Sequence, residues 1–258
     1  MSKLAYGTDE LQFGVLYTPE GSGPYPIVLL IHGGFWRAAY KLELMTGLAK
    51  SLVRHGIAVW NIEYRCVGDP GGGWPGTLQD LACAADYLPT LAADYNLDLQ
   101  RAITVGHSAG GHLAFWLAAR TRIPPVSPLA GETSPLTFLG AISLAGVVDL
   151  EHAWKLNLGK GAVTELLGGD LNEVPERYTA ASPAALLPLG IPQILFHGTE
   201  DDRVPLIVSQ EYTRKATEAG DSVVLIELPG ADHFVLIDPT STEWAIILEK
   251  IQKCLFPG

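Results

Sequence analysis

The stretch Ile27-Val28-Leu29-Leu30-Ile31 holds five apolar residues in a row, the mark of a strand buried on both faces. Ile57–Ile62, Ala102–Val105, Ala141–Ala145, Gln193–Phe196 and Val223–Leu228 repeat the pattern, and Leu11–Thr18 alternates weakly as a further strand. Between them the period changes from two to that of a helix. Leu44, Leu48 and Leu52 share one face of Lys41–His55, which stops at Gly56; Leu81, Ala84, Ala85 and Leu88 share one face of Thr77–Asp94. Further helices are expected from Leu113, over Leu206–Ala219 and over Thr242–Cys254. Strands alternating with helices at this spacing predict an α/β fold, a mostly parallel central sheet with helices on both faces. In such a sheet the ligand site lies beyond the carboxyl ends of the strands. Ile123–Pro135 is rich in proline and is expected to wrap the surface. The segment 147–187 has only short helical pieces, Ala162–Leu167 and Glu173–Tyr178, and reads as an insertion over the site edge of a single domain spanning 1–258.

Composition narrows the function. A hydrophobic content of 48% in 258 residues supports a large core. The net charge of -11 argues against nucleic acid or an anionic membrane surface as a partner. Cys66, Cys83 and Cys254 have no metal-ligand spacing and read as free thiols of a reducing compartment, so a cytoplasmic location is expected. No residue set resembles a metal site, and Gly71-Gly72-Gly73 lacks the lysine of a phosphate loop; neither metal nor cofactor is expected.

The chemistry centres on Gly106-His107-Ser108-Ala109-Gly110, which follows one apolar strand and opens a helix. A serine on such a strand–turn–helix corner projects its Oγ above the sheet, beside the backbone N–H groups of a helix start. A serine hydroxyl needs a base, and the base needs a carboxylate to orient it. His233, in a loop beyond the last strand, can swing over the corner. The acid should lie between serine and histidine in the chain. His197-Gly198-Thr199-Glu200-Asp201-Asp202-Arg203-Val204-Pro205 offers Asp201, favoured because the turn closes at Val204-Pro205, with Asp202 and then Asp149 behind it. An oxyanion needs N–H donors. Ala109 supplies one, and Gly34 and Phe35, after the first buried strand, supply the others. Phe35, Trp36 and Trp74 are expected to wall the substrate pocket. His107, adjoining the serine, joins them as a substrate contact; as a base it points the wrong way. His32 and His197 sit at strand ends as braces, His112 lies in the first turns of the helix, and Asp80 reads as a structural contact.

In this order, the segments H-G-G-F-W, G-H-S-A-G-G, H-G-T-E-D-D-R-V-P and G-A-D-H-F make the chain resemble an α/β-hydrolase over nearly its whole length. More narrowly it resembles the branch of kynurenine-formamidase-like and bacterial feruloyl/acetyl-esterase-like enzymes. It departs from hormone-sensitive-lipase-like esterases, whose loop reads H-G-G-G, by Phe35 and Trp36. The resemblance implies Ser108 as nucleophile, Asp201 as acid, His233 as base and an oxyanion hole at the His-Gly-Gly loop. It also implies a serine hydrolase acting through an acyl-enzyme on a small-molecule partner, either an ester with a small or aromatic acyl group or the formamide N-formylkynurenine.

Overall fold

A computed structural model describes residues 1–131 and 134–256. Eight strands form one sheet: β1 (Ser2–Ala5), β2 (Phe13–Tyr17), β3 (Tyr25–Ile31), β4 (Ala58–Ile62), β5 (Leu97–His107), β6 (Gly140–Leu144), β7 (Gln193–Gly198) and β8 (Val223–Leu228), in the order β1-β2-β4-β3-β5-β6-β7-β8. β1 and β2 pair antiparallel at one edge, and every pairing from β4 to β8 is parallel. β1 is an addition to the expected strands; its residues alternate between exposed and half-buried and leave little apolar signal.

The apolar runs divide by parity between two cores. In β3, Ile27, Leu29 and Ile31 face one side and Val28 and Leu30 the other. The second side is closed by α1 (Thr46–Arg54) through Leu48 and Leu52, and by α9 (Thr242–Leu255) through Trp244, Ile247 and Ile251. The first and larger side takes α2 (Gly76–Asp86), α3 (Leu88–Tyr95), α4 (Ala109–Ala118) and α8 (Ile207–Glu218). The single helix expected over Thr77–Asp94 is two, interrupted at Tyr87 two residues before Pro89, whose ring and missing N–H suit a first turn and not a helix interior. The helix expected from Lys41 opens as a 3-10 turn over Leu42–Met45.

Between β6 and β7 lie α5 (Leu150–Lys155), α6 (Ala162–Leu167) and α7 (Pro175–Ala181). Their buried residues, among them Leu150, Ala153, Leu166, Leu167 and Ala181, belong to the same core as the sheet. Arg37 and Glu165 join this segment to the loop after β3 at 2.6 Å. Glu132 and Thr133, within the proline-rich stretch, lie outside the described residues. Among the described residues no helix is long and apolar enough to cross a membrane.

Candidate active site

Ser108 sits between β5 and α4 with φ 56° and ψ -121°, a conformation that costs an L-residue on the order of 1–3 kcal/mol unless its surroundings hold it. They do. Its N–H donates to the Leu144 carbonyl at 2.8 Å, and its own carbonyl accepts from Gly111 N–H at 2.9 Å. The flanking glycines are required by contact. A Cβ on Gly106 would lie 2.0 Å from the Gly110 carbonyl oxygen, and one on Gly110 2.2 Å from that of Ile31. Helix and sheet therefore pack backbone to backbone at this corner.

The side chain of Asp201, in the loop after β7, is buried and fully engaged. Its Oδ1 accepts the N–H groups of Arg203 and Val204, both at 2.8 Å, which closes the turn anticipated at Val204-Pro205. Its Oδ2 accepts from His233 Nδ1 at 2.6 Å and lies 3.4 Å from His197 Nε2. Burial opposes the charge on this carboxylate. The hydrogen bonds from His197, His233 and the turn outweigh it and hold Asp201 well below the usual carboxylate range. With Nδ1–H committed to Asp201, the His233 ring carries its lone pair on Nε2. Asp202, the runner-up acid, points to solvent beside Arg203. Asp149 caps α5 by accepting His152 N–H and pairs with Lys215 at 2.6 Å.

His233 and Ser108 line one cleft of about 180 Å³ together with Gly34, Phe35, Tyr40, Leu44, His107, Arg203 and Phe234. No hydrogen bond joins the Ser108 hydroxyl to His233 among the described residues; such bonds tighten on substrate binding. The N–H groups of Phe35 and Ala109 donate to no acceptor among the described residues. Below them, His32 Nδ1 lies 2.8 Å from the Gly33 carbonyl and Nε2 3.1 Å from Glu63 Oε1. Since the peptide is planar and trans, a Gly33 carbonyl aimed at the His32 ring aims the Gly34 N–H the opposite way. Glu63 also accepts the N–H of Leu42 and Tyr64, so one buried carboxylate fixes the base of this loop.

The loop itself turns through three successive left-handed residues, Gly34 at φ 119°, Phe35 at 52° and Trp36 at 58°. That turn carries Trp36 away from the cleft. Its ring is buried in the core, and its Nε1–H donates to His112 Nδ1 at 3.1 Å. Trp74 is also absent from the cleft lining: its N–H donates to the Leu166 carbonyl at 2.7 Å, and its ring lies under Arg177 in a separate groove with Pro124 and Val126. Neither tryptophan walls the site as expected. Phe35 does border it, and His107 borders it while almost wholly buried.

Tyr40, Leu44, Arg203 and Phe234 on the cleft wall and Glu63 beneath it are not among the residues expected from the sequence. Phe234 adjoins His233, and Glu63 is an acidic residue directly after a buried strand; those were the available signals. His112 is more than a helix residue: its Nδ1 accepts from Trp36 and its Nε2–H donates to the Ala181 carbonyl at 2.8 Å, so it joins the loop after β3 to α7.

The fold is an α/β-hydrolase fold, and it brings Ser108, His233 and Asp201 to the carboxyl edge of the sheet. Residues 15–215 match the BD-FAE family, and the chain belongs to that family. It is 26% identical over 249 residues to a probable isoprenylcysteine alpha-carbonyl methylesterase of Arabidopsis thaliana, covering 89% of this chain and 50% of that protein. It is 27% identical over 220 residues to a kynurenine formamidase of Aspergillus versicolor, covering 72% and 73%. The chain thus spans about half the length of that methylesterase. Among solved structures it superposes on a carbohydrate esterase from gut microbiota with a TM-score of 0.86 and 21% identity, covering 99% and 95%. A thermophilic esterase of Thermogutta terrifontis gives a TM-score of 0.79 and 22% identity, covering 99% and 93%.

Proposed function

We propose that the protein is a serine carboxylic-ester hydrolase acting through an acyl-enzyme on esters of small acyl groups. The observation that carries this is the 2.6 Å bond from His233 to Asp201 in a cleft shared with the strained Ser108. His233 Nε2 takes the proton of Ser108 Oγ as Oγ attacks the ester carbonyl. The N–H groups of Ala109 and of Gly34 or Phe35 receive the oxyanion. His233 then returns the proton to the leaving alcohol, and a water hydrolyses the acyl-serine by the same route. Asp201 orients the ring and stabilises its cationic form.

The cleft volume of about 180 Å³ lies below the roughly 300–1,000 Å³ of sites for drug-sized ligands, which favours short acyl groups over large aromatic ones. In this reading the whole chain is one catalytic domain, and 147–187 is an insertion at the cleft edge. A second reading, hydrolysis of an aryl formamide, uses the same groups. It is favoured by the formamidase relative, which matches about three-quarters of both chains. The test is labelling by a fluorophosphonate and turnover of p-nitrophenyl acetate and N-formylkynurenine, side by side. Ser108→Ala should abolish labelling and lower turnover on the order of a million-fold. Unchanged turnover in that variant would refute the assignment, and the better substrate decides between ester and formamide.

A further inference from the structure

His107 borders the cleft beside the nucleophile, yet the reaction above leaves it without a task. Its Nε2 lies 2.9 Å from the main-chain carbonyl oxygen of His233, so Nε2–H donates across 126 positions of sequence to the residue that carries the base. The two imidazole rings pack with centroids 4.5 Å apart, and Phe234 closes on the same ring at 5.9 Å. On the other side His107 abuts the oxyanion loop. A Cβ on Gly33 would lie 2.7 Å from the His107 carbonyl oxygen and 3.3 Å from its Nδ1. That Nδ1 is buried and meets no hydrogen-bond partner among the described residues.

A buried acceptor without a donor lowers stability, and a phenylalanine would fill the same space without one. What a histidine has and a phenylalanine lacks is the N–H to His233.

We propose that His107 is a positioning residue that joins the three loops of the site and fixes the base over the nucleophile. His233 is then held at two points. Asp201 holds its Nδ1, and His107 holds its carbonyl. With both anchored, the direction of Nε2 is set by the scaffold before substrate arrives. The neighbour of the nucleophile provides the second anchor, so Ser108 and His233 move as one unit. Burial, and then the charge of His233, push the His107 ring down to about 3, so it stays neutral beside a base that becomes cationic during turnover.

This proposal rests on the esterase reading, and the test separates the two. His107→Phe keeps the ring and removes the donor; His107→Gln restores an N–H near the Nε2 position. In His107→Phe, kcat on p-nitrophenyl acetate should fall roughly 10- to 100-fold, the scale of a misplaced catalytic group, with KM within about two-fold. Its melting temperature should stay within a few degrees of the parent's, since the change removes one unpartnered acceptor, Nδ1, and takes the donor from another, the His233 carbonyl. His107→Gln should recover most of the lost kcat. A purely packing role predicts unchanged kcat in the phenylalanine variant, or a loss that tracks a lower melting temperature; either overturns the proposal. Nitrogen-15 spectra of the histidine rings judge the link without any turnover. They should show His107 neutral at pH 7 with its proton on Nε2, and a proton on Nδ1 instead would overturn it. A parent protein that neither turns over the ester nor labels with fluorophosphonate refutes the esterase reading and leaves the spectra to decide the link.

Discussion

Acid should weaken this protein well above the range where carboxylates titrate, and His112 shows why. The ring is wholly buried between Trp36, whose Nε1–H donates to Nδ1, and the Ala181 carbonyl, which accepts from Nε2–H. Protonation at Nδ1 would take the acceptor from the Trp36 N–H, while the Ala181 carbonyl accepts in either state and favours the charged ring; burial outweighs it and pushes the pKa down from 6.5 to about 4. In the unfolded chain the same ring takes up a proton near pH 6.5. The folded pKa is the lower of the two, so the stabilisation is complete above pH 6.5 and is lost as pH falls toward 4. From pH 6.5 to 5 the loss is about 2 kcal/mol, at 1.36 kcal/mol for each pH unit. His107, pushed down to about 3, adds a similar loss over the same interval. Together they remove a substantial part of the roughly 5–15 kcal/mol that holds an ordinary domain. The assay is urea unfolding at pH 7 and pH 5 for the parent and for His112→Gln. The variant will be less stable at pH 7, since Trp36 loses its acceptor geometry. The quantity to compare is the drop between the two pH values, which should be smaller in the variant by about 2 kcal/mol. Equal drops would refute the reasoning, as would a His112 resonance that titrates near pH 6.5 in the folded protein.

Two further outcomes are expected. Asp201→Asn should lower kcat by about 10⁴, because an amide cannot hold the His233 tautomer or stabilise its cation, whereas Asp202→Asn at the solvent-facing position should retain near-parental turnover; esterase kinetics on both variants check this. Trp74→Ala should leave the ratio of kcat/KM between an aromatic-acyl and an acetyl ester unchanged within about two-fold, since its ring lies in a separate groove; a change near ten-fold, about 1.4 kcal/mol, would bring Trp74 back to the site.

The central strands were legible because they are buried on both faces and carry near-continuous apolar runs, whereas β1 at the edge is not. The corner at Ser108 was legible because close backbone packing demands glycine at Gly106 and Gly110, and that demand is written directly in residue identity. The positions of Asp201 and His233 followed from chain order and from the turn that Val204-Pro205 closes. Side-chain direction was not legible. Trp36 was expected on the pocket wall beside Phe35. Two consecutive non-glycine residues in left-handed conformation turn it inward, and no local propensity announces them. Trp74 likewise belongs to a loop whose course is set by a hydrogen bond to Leu166, about ninety residues downstream. Glu63 and His112 act through partners distant in sequence, so only tertiary structure reveals what they hold.

The left-handed run at Phe35 and Trp36 bears on how this protein can be engineered. Each such residue stores on the order of 1–2 kcal/mol that glycine would not. The strain is restrained by the bonds from Arg37 N–H to the Gly34 carbonyl at 3.0 Å and from Val67 N–H to the Trp36 carbonyl at 2.7 Å. A search for thermostable variants will therefore be drawn to position 35, where relief of strain is immediate; at Trp36 the loss of a buried ring, about 3–5 kcal/mol, outweighs it. On the function proposed above, a glycine there would also free a loop whose N–H groups receive the oxyanion, so heat tolerance and turnover would be selected in opposite directions at this residue. Stabilising changes are better sought at the exposed positions of α8 and α9, away from the Ser108 corner and the loop after β3.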